Sequence, residues 1–231
     1  MSGESGSPVG PVVEGGPAMR PVRAAIEGRF VRLEPLDADA HVVGLYERSH
    51  AAPEDDAIWT YMTYGPFDGL DEMRDWLRAN AGSTDPLFFT VVEVGSGEPV
   101  GVVSLMNIDT EMRRLELGHI WYVRRAQRGR ANTESAFLLL RQAFDRWGYR
   151  RAEWKCDALN ARSRAAAQRL GFTFEGVFRS HMVVKGRNRD TAWFSMLVEE
   201  WPARRAAMQR WLDAEPGSVS LGELIAEADG A

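Results

Sequence analysis

Residues 30–36 alternate apolar and polar side chains with period two, the mark of a strand with one buried face. Pro35 and the run from Asp37 to Asp39 then end the strand and open a helix through Tyr46. Over residues 71–79 the spacing changes: Met73, Trp76 and Leu77 recur at helical intervals behind an acidic first turn, where carboxylates suit the helix dipole. A β-branched and aromatic run over 87–94, the turn Gly95-Ser96-Gly97-Glu98 and a second run over 100–106 predict a hairpin. Residues 114–123 (RLELGHIWYV) read as a further strand, 132–147 as a long amphipathic helix closed by Gly148, and 151–157 as another strand. A helix over 161–170 stops at Gly171, and strands over 172–184 and 191–198 flank the polar turn Lys185-Gly186-Arg187-Asn188. A last helix covers 203–211. A hairpin-rich first half followed by β-α-β-α-β-β implies an α/β (α+β) fold, with a mixed sheet and helices on both faces.

Composition then bounds the organisation. Residues 1–25 are rich in Gly, Pro, Ser and Val without periodicity, which predicts a disordered N-terminal tail. One domain is expected over 26–212 and a short polar tail over 213–231. With 231 residues, 45% of them apolar, the chain supports one substantial core and not a second full domain. A net charge of -5 argues against a general polyanion binder, since phosphate backbones demand a basic surface, and nucleic acid is not an expected partner. No run approaches the roughly 18 apolar residues of a membrane span, and the start lacks the pattern of a secretory signal. The single Cys156 excludes an intramolecular disulfide framework and a multi-cysteine zinc site, and reads as a small buried strand residue. The expectation is a cytoplasmic protein that uses neither membrane nor metal.

Two segments carry candidate chemistry. The strand over 114–123 runs into Arg124-Arg125-Ala126-Gln127-Arg128-Gly129-Arg130-Ala131-Asn132-Thr133, where an apolar helix begins. A helix start offers unpaired N–H groups and the positive end of a dipole, so it can bind phosphate without specific side chains, and Arg125, Arg128 and Arg130 add charge there. One unit later, Asn160 is suited to cap the next helix and Ser163 sits in its first turn. A P-loop reading fails because no Gly-Lys-Ser/Thr follows the basic turn.

Taken together, the opening GRFVRLEPL, the strand ELGHIWYV, the turn QRGRANTES, the segment NARSRAAAQRLGFTFEG and the closing GRNRDTAWFSMLVEEW resemble the GNAT superfamily of N-acetyltransferases, in the branch of the ribosomal-protein acetyltransferases RimJ and RimL. The resemblance implies acetyl-CoA as co-substrate. It places the pantetheine arm along the backbone of Ile120, Trp121, Tyr122 and Val123 and beside Asn160. The pyrophosphate falls on Arg128, Gly129, Arg130, Ala131, Asn132 and Thr133. Gln127 matches the first position of the family's Q/R-x-x-G-x-G/A turn, whereas Arg130 and Asn132 stand where small residues are usual. Those departures motivate an alternative reading, a catalytically silent acyl-CoA-binding protein of the same fold.

The resemblance also supplies catalytic candidates. Glu116, eleven residues before Gln127, holds the position of a catalytic glutamate in several members; its alternative role is a structural ion pair, with a nearby arginine as the partner. Strict alternation places His119 on the opposite strand face, as a packed histidine. The tyrosine that many members use to protonate the thiolate is absent from Ala165-Ala166-Ala167-Gln168-Arg169, which leaves Ser163. For an amine acceptor, a small amine or a peptide N-terminus, the irregular segment 51–69 is expected to contribute Trp59, Tyr61, Tyr64 and Phe67, with Glu54, Asp55 and Asp56 attracting a cation. Asp190 and Trp193 are further pocket candidates, and a homodimer is compatible with the apolar last strand.

Overall fold

The computed structural model describes residues 7–230; the first six residues of the expected tail and Ala231 lie outside the described residues. Eight strands form one sheet: β1 (Ile26–Glu27), β2 (Val31–Pro35), β3 (Leu87–Glu93), β4 (Pro99–Asp109), β5 (Arg114–Tyr122), β6 (Arg151–Asp157), β7 (Thr173–Val184) and β8 (Arg187–Leu197). Their order is β1-β2-β3-β4-β5-β6-β8-β7, and every neighbouring pair is antiparallel except β5 with β6. That parallel pair needs a crossover, which α3 (Arg130–Arg141) provides, continued by a π-helical turn over Gln142–Arg146. Gly148, at φ +77, ends it where the sequence places its stop.

The remaining helices are α1 (Ala38–Ser49), α2 (Leu70–Ala81), α4 (Ala161–Arg169), α5 (Trp201–Asp213) and α6 (Leu221–Asp229). On β3, Phe88 meets Trp76 of α2 and Thr90 bonds His41 of α1, so the even-numbered side chains face those helices. Phe89 and Val91 point the other way, toward the side packed by α3. Both sets are buried, so β3 reads as a continuous apolar run instead of a clean alternation.

Three segments differ from expectation. Residues 213–231 are not simply a polar tail: Leu221, Leu224 and Ile225 recur at helical spacing, Ser220 caps the amide of Glu223, and α6 packs on α4 and α5. The N-terminal stretch is tied down near its end, where Ala18 N donates to Thr110 O, Met19 N to Trp147 O and Arg23 to Leu36 O. The turn between β7 and β8 is two residues long, not four: Lys185 and Gly186 both adopt positive φ, the geometry of a tight type I′ hairpin, and β8 starts at Arg187.

Candidate active site

The parallel ladder between β5 and β6 covers only Arg114 to Leu117 against Arg151 to Trp154. Beyond it the strands part, and β5 keeps its hydrogen bonds with β4 alone. A bulge lies in that stretch, between Val102 and Ser104 on β4, with His119 at φ +49. The inserted residue breaks the alternation assumed from the sequence. His119 therefore lines the same cavity as Glu116, and not the opposite face. It still behaves as a packed side chain: its ring stacks on Tyr64 and abuts Phe88, and burial pushes its pKa down to about 4.

The gap opens into a cavity of about 530 Å³ bounded by β4, β5, β6, β7, β8, the start of α4 and Tyr61 to Thr63. Glu116 is 5% exposed at its wall. Its Oε2 accepts from Asn107 Nδ2 at 2.7 Å and pairs with Lys155 Nζ at 2.7 Å. An ion pair is the alternative reading for Glu116, with an arginine named as partner; the cation is a lysine. Lys155 also lies 3.5 Å from Glu153 and over the Trp193 ring, so it is fixed from three sides. Among the described residues Oε1 makes no hydrogen bond, and Glu116 lines the cavity. Across the cavity, Asn160 Oδ1 accepts from Ser163 N and holds the first turn of α4. Trp154 Nε1 donates to Ser163 Oγ at 3.0 Å, and the hydroxyl keeps its proton beside the Cys156 thiol.

At the far end of the gap, Arg128 takes φ +59, Gly129 is the extended N-cap of α3, and no side chain caps the helix. The amides of the first turn are therefore open to an anion. The arginines around them have separate tasks. Arg124 pairs with Glu54 and Asp55, Arg125 with Glu93 and Glu98, and Arg130 turns back to Ala214 O and the Phe30 ring. Arg130 can thus offer its amide, while its guanidinium is committed elsewhere. Gln127 Nε2 ties the turn to Tyr122 O, and Arg169, which sequence reasoning passed over, donates to the Thr133 hydroxyl. This is a cradle that suits the pyrophosphate of a CoA thioester.

The acetyltransferase (GNAT) domain model matches residues 31–173. The chain belongs to the GNAT family. It is 29% identical over 181 residues to the curated protein named "Putative ribosomal N-acetyltransferase YdaF" of Bacillus subtilis (strain 168), covering 75% of this chain and 92% of the other. A GCN5-related N-acetyltransferase from Brucella melitensis superposes with a TM-score of 0.88 at 42% identity, covering 91% of this chain and 98% of that one. A structure titled as a probable GNAT acetyltransferase from Chromobacterium violaceum gives 0.78 at 41% identity, over 85% and 98% of the two chains. The protein is accordingly an acyl-CoA-dependent acetyltransferase, and the ribosomal relative agrees with the RimJ/RimL-like branch.

Within this GNAT fold the acceptor candidates separate. Tyr61 and Trp193 line the cavity. Trp59, Tyr64 and Phe67 do not: Trp59 is fully buried and packs with His50, Tyr64, Phe67 and Trp121, so these rings form the core beneath the cavity. Of the acidic trio, Glu54 and Asp55 are already paired with Arg124, 70 and 69 positions downstream, which leaves Asp56 alone. Asp190 lies outside the cavity and caps a turn through Ser180 N and Asn188 Nδ2. Trp121, Tyr122 and Val123 have buried side chains, which leaves only backbone for a pantetheine arm.

Proposed function

We propose that the protein transfers an acetyl group from acetyl-CoA directly to a primary amine. The observation that carries this reading is that Glu116 and Ser163 line one cavity at the parting of β5 and β6, with Glu116 Oε1 unpartnered among the described residues and the Ser163 hydroxyl proton beside the Cys156 thiol. A thioester laid along β5, with its pyrophosphate on the open amides at Arg128 to Thr133, supplies the acetyl group at that point. Glu116 Oε1 then receives the proton the amine loses on attack, directly or through a water. The Ser163 hydroxyl donates a proton to the departing sulfur. Cys156 shares the cavity, but burial pushes its thiol up and keeps it protonated, which favours direct transfer over an acyl-cysteine intermediate.

The test is an amine-panel acetylation assay with detection of free CoA thiol. Activity with at least one amine is expected, and Glu116→Gln is expected to lower kcat by about 100-fold, the usual scale of a lost general base, with acetyl-CoA affinity retained. Full turnover in that variant at every pH would remove Glu116 from the base role.

A further inference from the structure

Arg189 differs from the other cation of the acceptor cavity. Lys155 is matched by Glu116 and Glu153. Arg189 lines the same wall, yet among the described residues its guanidinium has no hydrogen bond, ion pair or ring contact, and its Nε is buried without an acceptor. Asp157, the second carboxylate on this wall, turns one oxygen to the amide of Leu159 and forms no ion pair with Arg189. A second orphan lies on the same strand face: Trp193 Nε1 is also buried without a partner. Arginine and indole N–H groups can only donate. Arg189 is thus a cation on the cavity wall with no acceptor among the described residues, and an acceptor-rich anion in the cavity would supply one to its guanidinium.

The register fixes where that anion lies relative to the chemistry. Arg189, Thr191 and Trp193 alternate along β8 and face the cavity, and Trp193 stacks on the ammonium that holds Glu116. Arg189 stands four residues farther from that end, about 13 Å of strand less the reach of its own side chain. We propose that the acceptor amine carries a carboxylate, which Arg189 binds through paired N–H groups, orienting the amine toward Glu116. This rests on the acetyltransferase reading above and adds the substrate class. The carboxylate belongs either to a free amino acid or to an acidic residue beside a peptide N-terminus.

The experiment compares kcat/KM for a series of α- to ε-amino acids, each beside its primary amide, and for a peptide with an acidic second residue beside its neutral counterpart. For the best member the carboxylate is expected to be preferred by about 10- to 100-fold, the scale of a charge-assisted hydrogen bond. The responding arm tells free amino acid from peptide. Arg189→Gln is expected to bring that ratio close to one, and Arg189→Lys to restore part of it, with the thermal shift produced by acetyl-CoA confirming that each variant is folded. Turnover without preference for the carboxylate in the wild-type protein, or an unchanged ratio in Arg189→Gln, overturns the proposal and leaves the acetyltransferase reading standing. A thermal shift with acetyl-CoA but no CoA release with any amine overturns both.

Discussion

Glu134 shows how much a single buried side chain can hold. It is 4% exposed and accepts from the amides of Arg29, Phe30 and Val31 at 2.8, 2.6 and 2.7 Å, fastening the turn before β2 to the helix that carries the phosphate cradle. Gly28 is needed beside it, because a Cβ there would sit 2.8 Å from the carboxylate. Glu134→Ala strands three donors at once and is expected to lower unfolding free energy by about 3 kcal/mol, measurable by urea denaturation. His119 makes a pH-dependent contribution. Its folded pKa of about 4 lies below the ordinary value of 6.5, so the unfolded chain binds the extra proton between those values. The stability it supports is present above pH 6.5 and lost as pH falls toward 4; His119→Phe, which keeps the contacts with Tyr64 and Phe88, should flatten stability over that window. The location of Glu116 was legible in the sequence, as an acid inside an apolar strand. Its lysine partner was not, because Lys155 reaches it from a strand 39 positions away.

At the scale of elements, the local signals read well where they are self-contained. The β3–β4 hairpin, the stop of the crossover helix at Gly148 and the Asn160 cap each depend on a few adjacent residues. What escaped depends on pairing across the chain. The bulge at His119 exists only against β4, and α6 gains stability by docking on α4 and α5. The short hairpin between β7 and β8 has a reach of its own. Its tip residue Lys185 donates to the carbonyls of Trp59 and Gly65, while Tyr61 donates to Leu159 O, so the loop over the cavity is pinned at both sides. Lys185→Met should loosen that loop, raising amide exchange around residues 59–65 and the KM for acceptor, with the acetyl-CoA affinity unchanged. Equal exchange in the two proteins would show that the pin is inert.

For the molecule as a whole, the sheet is two plates. Strands β1 to β5 form one and β6, β8 and β7 the other, and among the described residues only the short ladder from Arg114 to Leu117 joins them within the sheet. A thioester arm that occupies the gap takes the place of absent backbone pairing. Amide exchange should then slow along Gly118 to Tyr122, the β5 side of that arm, and the melting temperature should rise with acetyl-CoA; ATP should do neither. Mass action sets the size, about 2.7 kcal/mol when ligand stands at one hundred times its Kd. The parting of β5 and β6 therefore reaches beyond chemistry. If acyl-CoA completes this seam as proposed, the protein's lifetime should follow the supply of that metabolite: when acyl-CoA runs low the plates should open more often, and quality-control proteases should meet more of the opened chain.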